Sequence, residues 1–208
     1  MRHNVIILLV FMMGCVLGGM NLVPSDMYQT NVSMYILYAL MLQVGLSIGS
    51  NKDFKNMISG INLKLLLIPL ATICGTLLFS ALAGLLLSQW SVFECMAVGS
   101  GFAYYSLSSV LITQLKATTI GAQLATELSI IALLSNIFRE IIALIGAPLI
   151  YKYFGKLAPI SAAGVNSMDV ALPVICKHSG KEMIPIAIFH GILIDMTVPF
   201  FVSFFCRL

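Results

Sequence analysis

The sequence predicts an all-α polytopic membrane protein of about seven transmembrane or re-entrant segments, with discontinuous helices among them. Three observations predict it. Of the 208 residues, 60% are hydrophobic and 9% charged, against roughly 45–50% apolar residues in soluble domains. The apolar residues fall in runs long enough to cross a hydrocarbon core, joined by short polar links. Several ionisable residues interrupt those runs, where a charge costs roughly 2.5–3.5 kcal/mol on insertion scales.

The first run, residues 4–22, follows Arg2-His3 and so resembles the front of a signal peptide, with Met12-Met13-Gly14-Cys15 faintly like a lipoprotein cleavage site. The residues before Cys15 suit that signal poorly, and a first transmembrane helix is expected, with Gly14, Gly18 and Gly19 permitting close helix contact. A link bearing Pro24 and Asp26 leads to residues 33–49, and Lys52, Asp53 and Lys55 mark the next link. Residues 63–88 read as a plain scaffold helix with Pro69 near its start. Residues 92–114 hold Gly99-Ser100-Gly101 and then Tyr104 through Ser109, too much glycine and hydroxyl for a purely lipid-facing helix. As one helix, residues 118–151 would be about 50 Å long, so the segment must tilt, break or project into solvent. Residues 157–176 carry Pro159 and Pro173 around a polar centre, the composition of a discontinuous or re-entrant segment. Residues 183–206 form the last run. No link is large enough for a second domain, so residues 1–208 read as one transmembrane unit.

Orientation follows the lysines and arginines. If all seven runs cross from a cytoplasmic N-terminus, seven basic residues lie inside and three outside. If residues 157–176 re-enter, the count becomes six against four, so crossing is mildly preferred. A net charge of +3 argues against a nucleic-acid partner. Five scattered cysteines show no CxxC and no metal-ligand spacing, so neither a metal nor a cofactor is expected.

The chemistry is expected where charge and apolar sequence collide. On the 118–151 helix, Ser129, Asn136 and Glu140 fall within about 40° of one another, with Arg139 on the flank. Arg139 and Glu140 are adjacent and cannot pair locally, so each needs a partner from elsewhere; Asp169 is the candidate for Arg139. A break near Asn166, Ser167 and Asp169 would free backbone groups at membrane depth to hold a carboxylate or a cation. Ser106, Ser109 and Thr113 share a helical face that can line a path. His190 and Asp195 lie in the last run, where a histidine can relay protons. Asp169 and Asp195 lack the Tyr-Asp and Gly-x-Gly-Asp contexts of intramembrane aspartyl proteases, so no enzyme is expected.

Four ordered stretches carry a resemblance: Gly101–Thr113, Ser135–Ala143, Asn166-Ser167-Met168-Asp169 through Leu172-Pro173, and Pro185-Ile186-Ala187 through His190-Gly191. Together they resemble the LysO-type lysine exporter family of bacterial inner membranes, over nearly the whole chain. The resemblance implies inverted repeats with discontinuous helices crossing at the site, and it matches Glu140 and Asp169 to the intramembrane acids on which transport depends. Single-chain members carry roughly a further third at the N-terminus, which implies a homodimer or a small membrane subunit supplying those helices, its contacts made largely by residues 4–49. Asp195 lies where the family leads us to expect no acid, and no role is carried over to it. The implied function is L-lysine export driven by inward proton movement; export of another amino acid or cation, or a non-transporting subunit, is the alternative.

Overall fold

The computed structural model describes residues 63–208 and isolated positions among the first 62. The expected helices at 4–22 and 33–49, and the contact surface assigned to residues 4–49, lie largely outside the described residues. Met1–Ser50 forms one compact unit and Asn51–Leu208 another; the fold described here is that of the second.

After a 3-10 turn at Leu63–Leu66, the helices are α1 Leu67–Leu86, α2 Val92–Gly99, α3 Tyr105–Lys116, α4 Ala122–Phe154, α5 Ala158–Ala163, α6 Leu172–Ser179 and α7 Ile184–Cys206. A 3-10 turn, Gly164–Met168, joins α5 to α6, and another, Lys181–Met183, leads into α7. Among the described residues no strand occurs. Three helical stretches are long and apolar enough to cross a membrane: Leu67–Leu86, Ala122–Phe154 and Lys181–Cys206. Their outward faces carry large exposed apolar side chains such as Leu78, Phe79, Leu85, Ile145 and Phe200, the surface a lipid solvent requires.

The two remaining stretches fold back on themselves. Residues 92–114, expected to form one near-spanning stretch, break at Ser100–Tyr104. Lys116 Nζ then lies 3.4 Å from Glu94 Oε1, although 22 residues of continuous helix would separate them by about 33 Å. So α2 and α3 form a helical hairpin whose two ends share one side. Residues 157–179 do the same. Lys156 Nζ meets Glu182 Oε1 at 3.1 Å, and Ile160 and Ala163 of α5 share an apolar cluster with Ala171 and with Ile175 of α6. The preference for a crossing at 157–176 is therefore corrected to a re-entrant hairpin. Charge counting misses it because Lys177 and Lys181 lie on the same side as Lys152 and Lys156, and nothing local reports that.

The path of the long helices sets the hairpins on opposite sides. Helix α4 runs from the base of the first hairpin, near Lys116, to the base of the second, near Lys156; it stays continuous for 33 residues despite Pro148. Gly84 near the end of α1 lies against Val92 and Cys95, so α1 delivers the chain to the base of the first hairpin. Helix α7 starts beside the second hairpin's base. Thus three traversing helices enclose two half-length hairpins that enter from opposite ends.

The hairpin tips meet. The Val165 amide donates to the Phe102 carbonyl at 2.9 Å, joining the second tip to the first. The broken segments, expected to cross, instead touch end to end. The first tip turns through positive φ at Phe102 (45°) and Ala103 (75°), a strained conformation for side-chain-bearing residues. On the second tip Gly164 has φ 61° and ψ −130°, and a Cβ there would strike the Phe102 carbonyl oxygen. Only glycine combines that backbone with that approach. Gly164→Ala should therefore lower stability by at least ~1–3 kcal/mol, read as a reduced melting temperature of the detergent-solubilised protein; an unchanged melt would show that the tips do not touch there.

Candidate functional site

The site grows from the four backbone ends that two broken hairpins leave free at membrane depth. Helix α4 supplies side chains to both. Asn136 Oδ1 accepts from the Ala103 amide at 2.7 Å, and its Nδ2 donates to Val98 O at 3.2 Å and to Ala132 O at 2.8 Å. One amide thus satisfies a donor and an acceptor of the first tip. Three residues on, Arg139 serves the second. Its Nε donates to Ala162 O at 3.1 Å and Nη2 to Ser161 O at 3.1 Å, both at the C-terminal end of α5. Carbonyls at a helix C-terminus are unpaired and carry the negative end of the dipole, so a guanidinium suits them. Nη1 also donates to Thr76 Oγ1 of α1 at 3.2 Å, and the group lies 5.8 Å from the Phe102 ring centroid.

The expected Arg139–Asp169 pair is therefore corrected. Arg139 is held by carbonyls, a hydroxyl and a ring. Asp169 is exposed, and its Oδ1 accepts from the Val170 amide. Among the described residues neither Arg139 nor Asp169 takes part in an ion pair. The polar stripe of α4 also finds cover within this chain: Ser129 and Asn136 are buried, so they need no second protein to shield them. Glu140 is half-buried.

On the second tip, Asn166 and Ser167 are both buried. The Asn166 carbonyl accepts from the Asp169 and Ala171 amides, closing the turn that presents Asp169, while Asn166 Nδ2 has no partner. Ser167 Oγ lies 3.0 Å from His190 Nδ1, and Thr72 Oγ1 of α1 lies 3.0 Å from His190 Nε2. His190 is fully buried, so this ring ties α1, α7 and the second tip together. Each hydroxyl is also in range of a backbone carbonyl, Ala187 O for Ser167 and Ile68 O for Thr72. A hydroxyl has a single hydrogen. A neutral imidazole lacks one N–H, so one hydroxyl must turn from its carbonyl to the ring.

Ser106, Ser109 and Thr113 lie along α3 and, among the described residues, make no side-chain bond to the tips. Ser106 is exposed, and Ser109 and Thr113 donate to Ser106 O and Ser109 O of their own helix. Two residues take places that the sequence did not assign them. Lys116, counted as a loop charge, is a buried partner of Glu94, which also closes a capping box with Ser91. Asp195 is buried beside the tips; its signal was present, an acid in an apolar run, but no motif accompanied it.

Beside this centre α1, α2, α4 and α5 line an open cleft of about 840 Å³. Its wall is largely apolar, from Phe79, Leu128 and Phe154, with Thr72, Thr76, Ser80, Ser135, Ser161 and Arg139 as its polar groups. Arg139 has used three of its five N–H groups, which leaves two for a ligand.

Paired hairpins inside an apolar helical frame, with ionisable groups at their tips, define an all-α membrane protein. The lysine exporter LysO family model matches residues 8–206, and the chain belongs to that family. It is 27% identical to the lysine exporter LysO of Escherichia coli (strain K12) over 179 residues, 86% of this chain and 56% of that protein. It is 30% identical over 179 residues to a Haemophilus influenzae protein named "Putative lysine exporter", covering 83% of each. The chain thus spans a little over half the length of the Escherichia coli relative. No solved structure matches it.

Because Arg139 and Asp169 meet different partners, their substitutions should act independently. The losses of Arg139→Met and Asp169→Asn in thermal melts should add to within about 0.5 kcal/mol in the double variant; a double variant more stable than either single one would restore the pair. Asn136→Leu should cost ~1–3 kcal/mol by stranding the Ala103 amide, measured in the same way.

Proposed function

We propose that this protein exports L-lysine across the bacterial inner membrane by secondary antiport against protons. The observation that carries the reading is the meeting of two oppositely entering hairpin tips among ionisable groups. A site at such a junction is reachable from either side when one hairpin or the other moves, and opposite entry is what an inverted repeat requires. Family membership and the names of the two relatives support lysine as the substrate.

The chemistry suits it. Lysine carries two ammonium groups and one carboxylate. Glu140 and Asp169 balance the cations, and the two spare N–H groups of Arg139 receive the carboxylate from the cleft side. His190 connects the tip to α1 through Ser167 and Thr72, so a change in its protonation turns one of the two hydroxyls between the ring and its carbonyl. Asn166 and Ser167 shape the second tip, while Ser106 and Ser109 line an approach along α3. The assembly is a homodimer or a complex with a small membrane subunit supplying further helices. No nucleic acid and no cofactor takes part.

The test is flux of labelled lysine in liposomes carrying the purified protein, with and without an imposed pH gradient. Glu140→Gln keeps the shape and removes the titratable group. It should insert and melt like the wild type yet lose at least about tenfold in transport rate, ~1.4 kcal/mol in a barrier. Normal transport by this variant would make Glu140 structural. Flux of another cationic amino acid in place of lysine would reassign the substrate.

A further inference from the structure

One buried group serves neither the packing nor the proposed transport step. Asp195 lies in the middle of α7, within the sequence Ile192-Leu193-Ile194-Asp195-Met196. It is 5% exposed, and among the described residues no hydrogen-bond donor or basic side chain meets it. A neutral residue would pack there at lower cost, since a buried carboxylate without a partner is among the least favourable arrangements in a protein.

Its position is specific. Gly191, one turn earlier on the same face of α7, is where Met168 of the second tip rests on the helix; a Cβ there would lie 2.9 Å from the Met168 amide nitrogen. Further along, Phe201 makes an edge contact with Phe102 of the first tip, with ring centroids 6.4 Å apart. Asp195 falls between these contacts, beside the junction of the tips. It lies within electrostatic reach of Asp169 on the second tip, and Tyr104 on the first lies within reach of both acids. The unpartnered Asn166 amide belongs to the same tip as Asp169.

We infer that Asp195, Asp169 and Tyr104 form a cation subsite between the hairpin tips that takes a primary ammonium group. The two carboxylates supply acceptors for its N–H groups, and the Tyr104 ring supplies an aromatic neighbour suited to a cation. Asp195 is buried without a donor, and a carboxyl so placed is held neutral instead of charged, so without substrate Asp195 holds the proton. Ammonium arrival then breaks one carboxylic O–H bond and sends that proton to water, and N–H···O bonds replace it. Cation and proton compete for the same two groups, which is the exchange an antiporter needs. The other titratable groups at the junction are His190 on the same helix and the carbonyl-bound Arg139 of α4, within electrostatic reach of His190; α1 presents the Thr72 hydroxyl. The choice of an ammonium rests on the lysine-export reading.

Calorimetric titration of the detergent-extracted assembly with L-lysine, in buffers of differing ionisation enthalpy, gives affinity and proton release together. The wild type should release protons on binding. D195N should bind roughly tenfold more weakly and release fewer protons, D195E should recover both, and D195N should melt no lower than the wild type. Unchanged affinity and proton release in D195N would overturn the subsite, as would a lower melting temperature with binding intact, which would mark Asp195 as structural. If the wild type binds no lysine, the exporter reading fails and methylammonium judges the subsite. A methylammonium-dependent rise in wild-type melting temperature that D195N lacks would sustain it, and no rise in the wild type would end it.

Discussion

The rest of the structure depends on how one helix satisfies two broken ones. A hairpin that stops halfway through a membrane leaves amides and carbonyls where no water can reach them, each costing several kcal/mol if left bare. Helix α4 answers both breaks from positions three residues apart. Asn136, with a donor and an acceptor, closes the first tip, where one end of each kind is free. Arg139, with donors only, closes the C-terminus of α5, where only carbonyls are free. The residue types match the demand. Apolar replacements would leave the tips unsatisfied, which accounts for polar residues in the centre of an apolar 33-residue helix.

The same arrangement separates the groups that hold the fold from those available for chemistry. Asn136 and Lys116 are occupied by backbone or by a fixed ion pair, and Arg139 is anchored through three of its five N–H groups. Asp169, Glu140 and Asp195 have no basic partner among the described residues. His190 lies between the two sets: its bonds reach α1 and the second tip, and the tautomer of its neutral ring decides which hydroxyl keeps its carbonyl. Coupling of this kind requires an element with two arrangements. The second tip, with Gly164 at positive φ and a two-bond turn on the Asn166 carbonyl, is where the two sets meet.

Much of the centre was legible in the sequence because intramembrane polarity is expensive and therefore meaningful. Asn136, Arg139, Asn166, Ser167 and His190 all stand out from their apolar runs, and all fall at the tip junction. What was misread was the partner of each charge. The nearest available opposite charge for Arg139 by composition was Asp169, but a guanidinium is equally at home on helix-terminal carbonyls, and sequence carries no record of where a helix ends inside a run. Lys116 was misplaced for the opposite reason: a basic residue at the end of an apolar stretch reads as a loop charge until Glu94 is seen beside it.

By itself the sequence determined the solvent, the helical class, the discontinuity at residues 157–176 and the family, because these follow from composition, run length, proline and glycine placement, and ordered motifs. The tertiary structure alone decided that residues 92–116 and 157–179 turn back instead of crossing, and that their tips meet at Phe102 and Val165. A hairpin and a kinked span have the same local composition. They differ only in which distant residues their ends approach, and that is fixed by pairing across 22 residues at Glu94–Lys116 and 26 at Lys156–Glu182, a separation at which no local pattern in the chain reports the contact.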